Sequence, residues 1–435
     1  MNKKAIVIGL GVSGRSCVEL LFAEKKSVLA LDKNAGALMS DPNVKTLLSR
    51  GLELDTDQKQ VDWSQIDQVV ISPGIALTHP VAAQALVKKI EVIGEIELAF
   101  RRLQNPCIGV TGTNGKTTVV LLICHILRMA GMKAQSLGNI GTSLSSYALS
   151  PDPNEILVVE LSSFQLETIE KKCLDAAFIL NITPDHLDRY AGMDEYARAK
   201  CKIESCLKEG GEMWVSKQTA HDFGHWLHRA KIIDDRGSFE NSAIATISPM
   251  RYIQLGVPER QNIQAAELAC RRFGVNEAQF WRGLETFRKP KHRIEYVGEW
   301  NGITFYNDSK ATNIDSVMHA VGLFEGPIIL LAGGVHKGWS YRPWIESFQG
   351  KVTRVVAFGQ AAAVIEEDLK NDLIVDRVET LTQAVRTAVQ NAGPKTAILL
   401  SPGCSSFDQF RNYEHRGNEF KRIIEEKLWI EKKRS

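Results

Sequence analysis

Hydrophobic positions along the chain fall into short unbroken runs, separated by longer stretches in which apolar and polar residues mix at helical spacing. The runs include "KAIVIG", "SVLALD", "DQVVIS", "CIGVTG", "EILVVE", "AAFILNIT", "PIILLAGG", "VTRVVAFG" and "TAILLSPG". They are rich in Val, Ile and Leu with little alternation, which suits strands buried on both faces. Such strands belong to parallel sheets covered by helices, so the pattern predicts an α/β chain. The segment "RRLQNP", ending at Pro106, precedes a new strand and predicts that a first block closes shortly before residue 100. The basic, proline-containing "FRKPKHR" (287–293) predicts a second boundary. Between residues 211 and 260 the pattern weakens and assigns no element.

Length and composition agree with several cores. A chain of 435 residues predicts roughly three domains. Its 44% hydrophobic and 24% charged content is that of a globular protein. The formal net charge is only +2, with both signs mixed throughout, so no nucleic-acid partner is expected. Eight cysteines are scattered without a C-x-x-C pair, which predicts reduced thiols and a cytoplasmic protein. The apolar run in "MNKKAIVIGLGVSG" breaks at Gly9 and Gly11, so it reads as a strand entering a turn and not as a leader. No apolar stretch is long enough to span a bilayer, so no membrane anchoring is expected.

Two glycine loops carry candidate chemistry. "GLGVSG" (Gly9, Gly11, Gly14) matches G-x-G-x-x-G after a predicted strand, and Asp32 ends the next strand. That combination suits a nucleotide whose pyrophosphate meets backbone N–H groups at a helix start. NAD and a UDP group would use the same donors, and a ligand-free turn is the plainer alternative. The second loop, "IGVTGTNGKTTVV" (108–120), misses the strict G-x-x-x-x-G-K-[ST] rule because Val110 stands where the first glycine belongs. A shorter cradle still presents N–H groups, with Lys116 for the terminal phosphates and Thr117 for Mg²⁺. The alternative, a tight turn with an exposed lysine, leaves Gly-Lys-Thr-Thr unexplained. ATP is therefore the expected ligand. Glu160 and His186 each follow a predicted strand and would lie at the same sheet edge, within reach of a magnesium ion. In "HDFGHWLH", His221, His225 and His228 would share a helical face. Gly224 and the short Asp222 argue against zinc there and for a solvated face.

"GVTGTNGKTT", "VVELSSFQLE", "NITPDHLDRY", His292–Arg293, "NDSKATN" and "SPGCSSFDQFRNYEHRGNEF" together resemble the Mur ligases of peptidoglycan synthesis, in order and over the whole chain. "SSFQLE" and the "SFDQF…RGNEF" ending are most similar to the D-glutamate-adding branch, and the D-N-P-R signature of another branch is absent. The resemblance implies a Rossmann-like UDP-sugar domain (1–96), a central P-loop-type ATPase domain with a mostly parallel sheet (97–293) and a C-terminal Rossmann-like domain (294–435). Val12, Ser13, Asp32, Ser72, Pro73, Gly74 and Asn139 would hold the UDP-sugar. Gly112, Thr113, Asn114, Gly115, Lys116, Thr117, Thr118, Asn262, Arg293 and Asp308 would hold ATP. Two Mg²⁺ would use Thr117, Glu160, His186 and Lys200 as a carbamate, with Lys202 as its rival. By composition alone Lys200 would be a solvated helix lysine. Thr312, Lys337, Ser406, Phe407 and Tyr413 would form the D-glutamate pocket, and Lys116, His186, Lys200 and Lys310 would act in catalysis. The sequence departs from the family pattern at "GVPE" before Asn262, at His336 and at Phe407, and its stretch from 211 to 250 is short.

The implied reaction activates the L-alanyl carboxylate of UDP-MurNAc-L-Ala with ATP and then adds D-glutamate through a tetrahedral intermediate. The small-molecule substrates would meet on a monomer. A folylpolyglutamate synthetase would lack the need for the first domain. A nicotinamide-dependent oxidoreductase would leave the second glycine loop without a purpose, and a P-loop switch would need no second substrate.

Overall fold

The computed structural model describes residues 4–57, 60–186, 189–233 and 259–432. Three sheets follow one another along the chain. The first contains β1 (Lys4–Ile8), β2 (Ser27–Leu31), β3 (Glu53–Asp55), β4 (Ile66–Ile71) and β5 (Glu91–Gly94) in the order β3-β2-β1-β4-β5, all parallel. The second contains β6 (Cys107–Thr111), β7 (Ala134–Gly138), β8 (Ile156–Glu160), β9 (Leu174–Ile179), β10 (Leu207–Ser216) and β11 (Ala230–Ile233) in the order β11-β10-β9-β6-β8-β7, again parallel. The third runs β12-β13-β17-β14-β15-β16, with β12 (Glu295–Trp300), β13 (Ile303–Asn307), β14 (Ile328–Gly333), β15 (Val352–Phe358), β16 (Val375–Arg377) and β17 (Ala397–Leu400). Only its edge strand β12 is antiparallel, so the mixed α/β expectation holds.

The unbroken apolar runs have the predicted cause. In β14, Ile328, Leu330 and Ala332 pack into one core while Ile329 and Leu331 pack into another on the opposite face. Successive side chains of a strand point to opposite faces, so a strand covered on both sides is apolar at every position. Each Ile or Leu side chain contributes about 1.5–3 kcal/mol when fully buried. The segment left unassigned from 211 onward supplies β10, the helix Lys217–Phe223 and β11.

By contact the chain forms two compact units. Residues 4–57, 60–182, 194–233 and 260–284 make one, and residues 183–186, 189–193, 259 and 285–432 make the other. The first two sheets thus belong to a single body. Their joint is the helix Glu95–Phe100, every residue of which is buried. Glu95 accepts the Ser145 N–H at 2.6 Å, and Glu97 accepts those of Glu170 and Lys171 at 3.0 Å each. Burial pushes the Glu95 carboxyl up, partly offset by its bonds to Ser145. Arg101, one turn on, pairs with Glu97 at 2.7 Å.

Candidate active site

In an open parallel sheet, ligands gather beyond the carboxyl ends of the strands, where neighbouring connections diverge. In the first sheet that point lies between β1 and β4. The Ser72 hydroxyl after β4 donates to the Gly9 carbonyl after β1 at 2.7 Å. Asp32, after β2, accepts the N–H groups of Leu10 at 2.8 Å and of Asn34 at 2.8 Å. The helix Val12–Ala23 begins here, and Val12 is 72% exposed at its first turn. Gly14 is required by packing, because a Cβ there would sit 1.9 Å from the Gly9 carbonyl oxygen. Val12, Ser13, Asp32 and Ser72–Gly74 therefore collect at one edge.

The second loop follows β6 and opens the helix Lys116–Met129. Gly115 takes φ +85°, and a Cβ on it would meet the Asn262 side-chain oxygen at 2.6 Å. The loop is held from β9: Asn181 accepts the Thr113 N–H on its carbonyl at 2.9 Å and the Asn114 N–H on its side chain at 2.8 Å. The Lys116 ammonium lies over the loop, donating to the carbonyls of Gly112 at 2.7 Å and Thr113 at 2.8 Å. Thr117 donates its hydroxyl to one carboxylate oxygen of Glu160 at 2.8 Å, and Asn139 donates its amide to the other at 2.8 Å. Glu160 ends β8 and is only 2% exposed.

Lys200 comes to the same loop. The sequence pattern alone makes it a solvated lysine, but it is 2% exposed and donates to the Gly112 carbonyl at 2.9 Å. Its ammonium rests 4.7 Å from the Tyr196 ring centre, and the Tyr196 hydroxyl bonds Thr113 at 3.1 Å. Its rival Lys202 points elsewhere, to the Glu167 carbonyl at 2.6 Å. Thr118 is buried in the helix Lys116–Met129.

The donor set around Thr117 suits a hard divalent cation. Two adjacent oxygen ligands of an octahedral Mg²⁺, each at about 2.1 Å, lie about 2.9 Å apart. The Thr117 hydroxyl and the Glu160 carboxylate already stand at 2.8 Å.

The remaining expected residues lie in the second unit. His186 has φ +54°, and its ring nitrogen is 3.8 Å from Asp185, whose buried carboxylate also takes Lys337 at 3.7 Å and Asn313 at 3.3 Å. Burial by itself would raise the Asp185 pKa, but the charges of Lys337 and His186 and the Asn313 bond hold it below the ordinary range. Lys337 also donates to the Thr312 carbonyl at 3.1 Å. The Lys310 ammonium lies 3.8 Å from the centre of the Tyr413 ring. Ser406 is buried, whereas Phe407 is 72% exposed. His336 approaches the Tyr341 hydroxyl at 3.3 Å. Asp308 is buried, bonded by Ser401 at 2.8 Å and by the Ile294 N–H at 3.2 Å. Burial pushes its carboxyl up to about 7, against the Ser401 bond and the Arg293 charge.

The histidines of "HDFGHWLH" do not share a helix face. The helix stops at Phe223; His221 is bonded to Asp222 at 2.8 Å, and the His225 ring lies tilted against Trp226, 4.2 Å between centroids. Among the described residues no cluster of His, Cys, Asp and Glu could hold a metal through three or more of them. Asn181, Tyr196 and Asp185 were not singled out by sequence reasoning. Asn181 ends an apolar run just as Glu160 does, which was the available signal.

Three family descriptions match successive parts of the chain: a Mur ligase MurD-like N-terminal domain over residues 3–94, a Mur ligase middle domain over 110–234 and a Mur ligase glutamate ligase domain over 292–404. The chain belongs to the Mur ligase family. It is 44% identical over 434 residues to the "UDP-N-acetylmuramoylalanine--D-glutamate ligase" of Protochlamydia amoebophila, covering 97% of this chain and 98% of that one. A ligase of the same name from Koribacter versatilis is 35% identical, with 99% of each chain covered. Among solved structures, the Mur ligase fold here is similar to MurF of Thermotoga maritima in complex with ADP, with a TM-score of 0.59, 15% identity and 88% and 92% of the two chains covered. MurC of the same organism gives 0.56 at 16% identity, covering 98% and 99%. Those two likenesses concern the fold.

Proposed function

We propose that this Mur ligase joins D-glutamate to UDP-N-acetylmuramoyl-L-alanine at the expense of ATP, giving UDP-MurNAc-L-Ala-D-Glu, ADP and phosphate for peptidoglycan precursor synthesis. The observation that carries the reading is the Thr117–Glu160 pair, 2.8 Å apart at the mouth of the Gly112–Lys116 loop. Its support is the full-length similarity to ligases bearing that name.

A carboxylate and an amine do not condense at useful yield in water, because the carboxylate has no leaving group. Transfer of the γ-phosphoryl group supplies one. The L-alanyl carboxylate oxygen attacks the γ-phosphorus, the bond to ADP breaks, and an acyl phosphate forms. The D-glutamate amine then attacks the carbonyl carbon, loses a proton and expels phosphate from the tetrahedral intermediate. Phosphoryl transfer asks the protein for position and charge more than for covalent chemistry. Val12, Ser13, Asp32 and Ser72–Gly74 orient the UDP-sugar, with Asn139 near its acid end. Gly112–Thr118 cradle ATP, with Asn262, Arg293 and Asp308 as its further contacts, and the Lys116 ammonium offsets charge on the phosphates. Thr117 and Glu160 would hold one Mg²⁺, and His186 with a carbamylated Lys200 a second. Bound Mg²⁺ offsets the charge that develops on the transferring phosphoryl oxygens. A neutral lysine amine that adds to CO₂ and releases a proton becomes a carbamate anion, and the buried amine of Lys200, bonded to the phosphate loop at Gly112, is the candidate for that change. Thr312, Lys337, Ser406, Phe407 and Tyr413 would receive D-glutamate, with Lys310 closing on the nucleotide.

The domain assignment 1–96, 97–293 and 294–435 goes with this reading, as do a monomeric state and a cytoplasmic location. All eight cysteines are free and buried, in keeping with a reducing compartment, and no described helix is long and apolar enough to cross a membrane. Phosphate release is to be measured with ATP, UDP-MurNAc-L-Ala and D-glutamate, omitting each in turn. Turnover should require all three. Turnover without the sugar nucleotide, or a preference for L-glutamate, refutes the assignment.

A further inference from the structure

Among the described residues, Arg416 is the one arginine in the set of largest fully buried side chains, with no exposed surface. Among the described residues no carboxylate forms an ion pair with it. Its guanidinium is instead spent on the carboxyl edge of the third sheet. Nε donates to the Ser309 hydroxyl at 3.0 Å, one terminal nitrogen to the Gly333 carbonyl at 3.3 Å, and the other to the carbonyls of Ser309 at 2.8 Å and Cys404 at 3.1 Å. Ser309 follows β13, Gly333 ends β14 and Cys404 follows β17, so one planar group ties three neighbouring strand ends. The Ser309 hydroxyl passes the link on, donating to the Tyr413 carbonyl at 2.9 Å. The Val335 N–H then joins the second loop to the third through the Ser405 carbonyl at 2.8 Å.

Each tied point lies within four residues of a proposed D-glutamate contact: Ser309 of Thr312, Gly333 of Lys337, Cys404 of Ser406, and Arg416 itself of Tyr413. A buried cation without a partner acid is costly unless its donors are satisfied, and a structural tie alone could be made by neutral groups. Placed behind a pocket for an amino acid with two carboxylates, the charge has a use. Burial pulls the Arg416 pKa down to about 10, which leaves it charged at neutral pH.

We infer that Arg416 is a positioning residue for the second substrate: its fork holds the three loops of the dicarboxylate amino-acid pocket in register and sets a positive potential beneath it. This rests on the D-glutamate reading above. Arg416→Lys keeps the charge but loses the planar fork, and Arg416→Met keeps apolar volume but loses both. Steady-state kinetics of the full chain should show the KM for D-glutamate raised about ten-fold or more in Arg416→Lys and further in Arg416→Met. The KM values for ATP and UDP-MurNAc-L-Ala should stay within about two-fold. Acyl-phosphate formation without D-glutamate, read by positional isotope exchange in ATP, should persist in both variants. If Arg416→Met does not fold, Arg416→Lys decides alone. A D-glutamate KM that stays at the wild-type value while Tm falls, or a proportional rise in all three KM values, overturns the inference. Wild-type protein that forms acyl phosphate but accepts no D-glutamate overturns the functional reading itself.

Discussion

Asp308 gives a test that needs no substrate. Its carboxyl is 7% exposed, receives the Ser401 hydroxyl and the Ile294 N–H, and is pushed by burial up to about 7. In the unfolded chain it titrates near the ordinary value of about 3.9. Below about pH 4 both states hold the proton and the group is neutral in its effect. From there to about pH 7 the unfolded state has released the proton while the folded state keeps it, so stability falls as pH rises. Above about pH 7 the loss is complete, on the order of 4 kcal/mol. Asp308→Asn keeps the shape and removes the ionisation, and the Ser401 hydroxyl can turn to accept from the new amide. The stability of the variant relative to wild type should therefore grow by about 2.5 kcal/mol between about pH 5 and about pH 8. Taking the difference between the two proteins at each pH cancels every other titrating group. In calorimetry of the full chain this is roughly a 3 °C relative gain in apparent Tm. A difference that does not change with pH, or one that moves against the variant as pH rises, refutes the reasoning.

Two further substitutions probe the loops separately. Gly14→Ala forces a carbon to 1.9 Å from the Gly9 carbonyl oxygen, far inside the about 3.5 Å of normal contact. It should cost about 1–3 kcal/mol of stability and raise the KM for the sugar nucleotide about ten-fold while sparing that for ATP; equal effects on both in kinetic assays would count against two separate loops. Glu160→Gln preserves a partner for Thr117 and Asn139 but removes the charge. A magnesium titration of activity should shift about ten-fold or more to higher concentration with Tm little changed, and an unmoved titration would remove Glu160 from the cation site.

How far the sequence could be read followed from where each residue's partners lie. The interior strands β1, β2, β4, β6, β8, β9, β14, β15 and β17 announced themselves because both faces are covered and each carries an apolar run, polar residues falling mostly at the strand ends. The short β3 ("ELD") and β16 ("VDR"), both at sheet edges, carry polar residues and gave no such signal. Strand β10 was hidden by Gly210–Gly211, where its pairing with β9 shifts register between Leu207 and Glu212. Strand β13 ("ITFYN") lies inside the sheet, but its Thr, Tyr and Asn break the apolar run. The phosphate loop was legible because its parts are contiguous. Lys200 was not, since the charged helix Met193–Cys201 around it looks solvated and only tertiary packing buries its amine; the family resemblance alone pointed there. Arg416 had no signal of its own, because its four acceptors come from three strand ends far apart in sequence.

The buried acids Glu95 and Glu97 fasten the first two sheets, their carboxylates accepting main-chain N–H groups of Ser145, Glu170 and Lys171 within a helix that is buried along its whole length. The spacing between the GLGVSG turn and the GKTT turn is consequently set by a buried joint within one compact unit. A stiff two-headed inhibitor, with a pyrophosphate mimic at one end and a phosphonate at the other, could be cut to that fixed gauge and would lose little entropy on binding.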